Sequence, residues 1–120
     1  MTFTLADFPQ TWLDDWNSHD VERILAHYDP AVRFQSPFAA ILTGSGAIEG
    51  KDALRAYWAP ALASRPGLRF HVKQAYIGHR GVAIHYGDEH DRSVIETLVF
   101  NDDDRIIFGT ACYATPPAQG

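Results

Sequence analysis

Apolar positions in the first half of the chain recur every three or four residues, and from Leu68 onward they recur every second residue. Phe8, Trp12, Leu13 and Trp16 fall on one face of a helix that starts near Asp7 or Pro9, since aspartate can cap a helix and proline fits its first turn. Asn17-Ser18-His19-Asp20 breaks this pattern. Asp20 can cap a second helix, with Val21, Ile24, Leu25 and Tyr28 on its buried face and Asp29-Pro30 at its end. Ala31 to Ser36 reads as a strand that Pro37 closes, and Gly44-Ser45-Gly46 reads as a loop. Gly50-Lys51-Asp52 opens a third helix carrying Leu54, Tyr57, Trp58 and Leu62, stopped by Arg65-Pro66-Gly67.

Leu68 to Ile77 then alternates, with Phe70 and Val72 opposite Arg69, His71 and Lys73. A turn at Gly78–Gly81 leads into Val82–Tyr86, and Gly87–Asp91 forms a charged hairpin loop. Arg92–Phe100 and Arg105–Tyr113 are two further strands, joined by a turn at Asn101–Asp104. This order predicts an α+β fold, with three N-terminal helices on the concave face of a curved, mostly antiparallel sheet.

Composition narrows the picture. The chain has 120 residues, enough for one domain with one core, expected to span residues 1–120 with a frayed tail from Thr115 to Gly120. Hydrophobic residues make up 46% of it, so it folds rather than staying disordered. Its formal net charge is -5 and its basic residues are scattered, which argues against nucleic acid as a partner. No apolar run is long enough to span a bilayer, and the N-terminus lacks a signal-peptide pattern, so a cytoplasmic protein without a membrane partner is expected. A single cysteine, Cys112, makes no internal disulfide and is expected as a small buried hydrophobe.

Candidate chemistry centres on Glu96. Period two places it on the same face as Val94, Leu98 and Phe100, where desolvation raises a carboxyl pKa towards the range of a general acid. Pairing with an arginine, or burial in an interface, is the alternative. Tyr86 shares its face with Val82 and Ile84, and serves either as a core tyrosine or as a hydrogen-bonding partner for Glu96 or a ligand. The histidines and acids of His85–Asp91 crowd into a hairpin loop, which reads as a solvated turn and not a metal site. His71 and His85 face outward and His19 lies at a helix corner. Trp16, Tyr28, Phe34, Phe38, Tyr57 and Trp58 are core residues that together would line any cavity.

The order Trp16–Asp20, "HYDPAVRFQSP", Gly50–Trp58 and "VIETLVFNDDDRI" resembles the NTF2-like, SnoaL-like superfamily of cone-shaped domains over about Pro9 to Tyr113, most of all its uncharacterised bacterial SnoaL-like members. That resemblance implies an open cone with an apolar cavity between helices and sheet. In the family's isomerase branch a carboxylate base moves a proton, while a tyrosine and a protonated aspartic acid hold the developing oxyanion. The positions of tyrosine, base and acid fall here on Trp12, Ser36 and Glu96. Serine is no base by itself, so only the acid keeps its kind.

The expected site is therefore Glu96 as the catalytic acid/base, with Trp12, Ser36, Phe38, Trp58 and Tyr86 contacting substrate, and with neither metal nor cofactor. The expected function is binding of a small apolar, polyketide-like or steroid-like molecule, with isomerase, cyclase or dehydratase chemistry. A non-catalytic binding module is the alternative. An epoxide hydrolase lacks its Asp-Arg-Asp set, and nothing specific supports a pure protein-interaction domain. A homodimer through the outer sheet face is also expected.

Overall fold

The computed structural model describes residues 3–115, so the expected frayed tail lies, beyond Thr115, outside the described residues. A single 3₁₀ turn at Leu5–Asp7 precedes helix α1 (Phe8–Asn17), and α2 (Val21–Leu25) follows. Asp20 caps α2 as anticipated, its carboxylate accepting from Glu22 N at 3.0 Å and Arg23 N at 3.3 Å. The corner between the helices is tied to the sheet side of the molecule. Asn17 exchanges two hydrogen bonds with the Phe70 backbone, and a ring nitrogen of His19 meets Leu68 O at 2.7 Å. Asn17 and His19 thus serve as structural clamps.

The remaining elements are β1 (Tyr28–Gln35), α3 (Pro37–Thr43), β2 (Ala47–Glu49), α4 (Lys51–Ser64), β3 (His71–Ile77), β4 (Gly81–Gly87), β5 (Ser93–Phe100) and β6 (Ile106–Tyr113). They form one curved, unclosed six-stranded sheet in the order β2-β1-β6-β5-β4-β3. Among the described residues, only β1 and β6 run parallel. Trp12, Trp16, Leu25, Leu54, Trp58 and Leu62 from the helices pack on Val32, Phe34, Val82, Ile84 and Leu98 from the sheet. Gly109 lets β6 approach this layer. A Cβ there would lie 2.8 Å from Phe34 Cδ1, closer than real contacts allow, and a tight 3.0 Å from Leu98 Cδ2.

Four expectations need correction. Tyr28 opens β1 and is not part of α2, which ends at Leu25; Asp29 and Pro30 are tolerated in the strand because its register with β6 shifts between Tyr28 and Arg33. A fourth helix, α3, and the short β2 occupy the stretch read as strand end and loop. Ser36 caps α3, Pro37 takes its first position, and Gly44 ends it with φ 75°. β3 starts at His71 and not at Leu68, with a bulge between Val72 and Gln74. Cys112 pairs with Ile95 on the outer face and is exposed, not buried.

Candidate functional site

Glu96 sits mid-strand on β5, opposite Ile84 of β4 and Ala111 of β6, and so faces the helices. Its side chain ends in a partly open cavity of about 110 Å³ between the sheet and helices α1 and α4. Trp16 comes from α1, Phe34 and Ser36 from the end of β1, and Tyr57, Trp58, Ala61 and Leu62 from α4. Tyr86, Ala111 and Tyr113 come from the sheet, while Arg65, Leu68 and Phe70 come from the segment between α4 and β3. Trp58 anchors this wall, with Trp16, Tyr28 and Phe34 meeting it at 74–76° and centroid distances of 4.9–5.4 Å.

Glu96 is 3% exposed. Its Oε1 accepts a hydrogen bond from Tyr86 Oη at 3.2 Å, and its Oε2 has no partner. Burial raises the carboxyl pKa from 4.5 to about 7, against opposing pulls from Tyr86 and, more weakly, Trp12. The Trp12 indole lies near enough to act on the carboxyl, yet Nε1 makes no hydrogen bond at full geometry. Burial and the Glu96 charge push Tyr86 well above its ordinary pKa, so its hydroxyl remains a donor. The same two causes raise Tyr28, and they raise Tyr113 to about 12.

Beyond Glu96 Oε2, buried polar atoms without a partner include Trp12 Nε1, Trp16 Nε1 and Tyr28 Oη. Of these, Trp16 and Glu96 line the cavity, Trp12 and Tyr28 lie in the surrounding core, and a further orphan, Arg80 Nε, lies outside the lining. Native interiors satisfy nearly all such groups, so the free Glu96 Oε2 and Trp16 Nε1 beside the cavity are unusual.

The sequence profile of the SnoaL-like domain matches residues 10–108. The chain belongs to the SnoaL-like domain family. A SnoaL-like protein of unknown function from Burkholderia thailandensis is 34% identical, with a TM-score of 0.88 over 96% of this chain and 100% of that one. An NTF2-like protein of unknown function from Cytophaga hutchinsonii shares the fold at 10% identity, with a TM-score of 0.76 over 95% and 93% of the two chains. A candidate isomerase of the SnoaL-like family from Agrobacterium tumefaciens shares it at 18% identity, with a TM-score of 0.71 over 92% and 97%. No curated protein matches the sequence.

Within this SnoaL-like domain, Glu96, Tyr86, Trp58 and Ser36 meet at the cavity, and Trp12 stands behind Tyr86 with ring centroids 4.7 Å apart. Ser36 is buried, but its hydroxyl is occupied: as the cap of α3 it accepts from Phe38 N at 3.2 Å. Phe38 stands outside the lining, 42% exposed, with its ring edge-on to Tyr113 at 4.8 Å. Sequence reasoning passed over Tyr113 and Arg65. Strand pairing signals Tyr113, which lies opposite Val94, two residues from Glu96 and on the same face. Arg65, read only as a helix stop, is fixed beside the cavity by Glu89 at 2.8 Å.

The hairpin acids are also explained. Asp88 is buried and accepts from His90 N, Arg92 N and Arg92 Nε at 2.6–2.9 Å. Burial opposes its charge, but these donors outweigh it and hold the pKa below the ordinary value. Among the described residues no group of three or more His, Cys, Asp or Glu could hold a metal ion. No helix among them is long and apolar enough to cross a membrane.

Proposed function

We propose that this domain binds a small, largely apolar molecule through a carbonyl or hydroxyl oxygen, and that Glu96 moves a proton on it. The observation that carries the reading is the unpartnered Oε2 of Glu96 at the end of an aromatic cavity. A carboxyl with a pKa of about 7 is present in both forms at neutral pH. Protonated, it donates to a ligand oxygen; ionised, it can take a proton from a carbon next to a carbonyl. The unpaired indole N–H of Trp16, which lines the cavity, is suited to receive the charge that such a step leaves on the oxygen. This is the chemistry of the isomerase and cyclase type, and the Agrobacterium relative supports it by fold alone.

Binding without turnover is the second reading. It is favoured by Ser36, whose hydroxyl caps a helix and leaves Glu96 as the sole carboxylate among the residues lining the cavity. Both readings are tested by soaking small ketones with the protein in D₂O and following exchange at the α-carbon by NMR. Exchange that rises with pH through about 7 and vanishes in Glu96→Gln supports proton transfer. Saturable binding without exchange supports the binding module, and no binding by any ketone or phenol contradicts both. The exposed Tyr76, Ile95 and Val99 favour self-association through the outer sheet face. A monomeric mass by light scattering at micromolar concentration would count against that dimer.

A further inference from the structure

Tyr57 of α4 stands between two spaces. On its inner side is the cavity of about 110 Å³ that contains Glu96. On its outer side a groove of about 730 Å³ runs between α4, β2 and the end of α3, with Ala47, Ile48, Ala53, Ala56 and Pro60 among its walls. Tyr57 and Ala61, one helical turn apart, line both spaces.

The two volumes are complementary. A dry cavity that admits benzene has about 150 Å³, and sites for small organic molecules have about 300–1,000 Å³. The inner cavity therefore has the unpaired Glu96 Oε2 and Trp16 Nε1 on its lining residues but room for no more than about one ring. The groove has the volume and an apolar floor, but none of the unpartnered buried atoms. Between them, α4 is locally weakened. Pro60 has no N–H, so the Ala56 carbonyl loses its helical partner on the turn that carries Tyr57.

We infer that Tyr57 is the residue that sets ligand size: the oxygen-bearing ring of the ligand sits beside Glu96 and its apolar remainder passes Tyr57 into the groove. This rests on the reading of Glu96 given above. The Tyr57 ring, half-buried and packed against the core, is the partition that a longer ligand has to displace. The occupant of the groove is the apolar body of the same small molecule, because the groove adjoins the inner cavity and shares Tyr57 and Ala61 with it.

The test is calorimetric titration of phenol and 4-phenylphenol into the native protein, Tyr57→Ala, Ala56→Trp and the double variant. Removing the ring should tighten 4-phenylphenol by at least about tenfold relative to phenol, as expected for a second ring leaving water. Filling the groove with Ala56→Trp should cancel that gain in the double variant and leave phenol within about threefold. Should Tyr57→Ala lose its near-UV circular dichroism, Tyr57→Leu carries the same expected change in ratio. Equal factors for both ligands, or a 4-phenylphenol affinity indifferent to Ala56→Trp, would overturn the inference and return the groove to another partner. Failure of phenol to bind the native protein would instead remove the Glu96 reading, and the inference with it.

Discussion

Replacing Glu96 by glutamine should make the protein more stable, and only above a defined pH. The carboxyl has a pKa near 4.5 in an unfolded chain and about 7 in the fold, because burial penalises its charge. Below pH 4.5 it is protonated in both states and folding carries no penalty. Between 4.5 and 7 the unfolded state ionises while the folded state holds its proton, so stability falls as pH rises. Above 7 both states are ionised and the penalty is constant at about 3 kcal/mol, the free-energy equivalent of that pKa shift. Glutamine keeps the shape and can still accept from Tyr86, but it never ionises. Thermal melts of both proteins should therefore nearly coincide at about pH 4.5 and separate by roughly 10 °C at about pH 8, with the variant higher. A separation that does not change with pH, or a variant less stable at the higher pH, would refute the placement of an unpaired carboxyl in this cavity.

Other substitutions test the frame around it. Trp58→Ala removes a ring that three others meet edge-on, and urea denaturation should register a loss of about 3–5 kcal/mol. Gly109→Ala drives a methyl group against Phe34 and Leu98, and should cost about 1–3 kcal/mol in the same assay while weakening any cavity ligand. Asp88→Ala withdraws a buried carboxylate from three donors at the hairpin, and should lower stability by about 3 kcal/mol at neutral pH. Because the folded Asp88 pKa is depressed, that contribution is present above about 3.8 and is lost as pH falls, so wild type and variant should converge in acid. Ser36→Ala should cost about 1 kcal/mol as a lost helix cap, with little effect on the pH dependence of ligand binding.

Where one period governs a segment, the sequence was enough. Phe8, Trp12 and Trp16 mark α1 because each is buried on the same face, and the alternation in β4 and β5 placed Tyr86 and Glu96 inward before any coordinate. Short elements were harder to read. A five-residue helix leaves Tyr28 at helical spacing from Ile24 although it already belongs to a strand. Ser36-Pro37 signals a strand end and a helix start equally well, and both occur: β1 ends at Gln35, and Ser36 caps α3 with Pro37 in its first position. Cys112 was misread because a free cysteine ordinarily behaves as a small buried hydrophobe, whereas its register opposite Ile95 turns it outward. Arg65 and Tyr113 join the site only through contacts between distant segments. The unpaired indoles were invisible for the same reason, since a sequence names a donor but not the absence of its acceptor.

The most direct measurement is a ¹³C NMR titration of the Glu96 carboxyl, alone and with saturating cyclohexanone. The account predicts an apparent pKa near 7 in the free protein. It also predicts a further rise with the ketone, which can only accept and so favours the protonated form. A free value near 4.5, or a value near 7 that the ketone leaves unmoved while binding elsewhere, would contradict it.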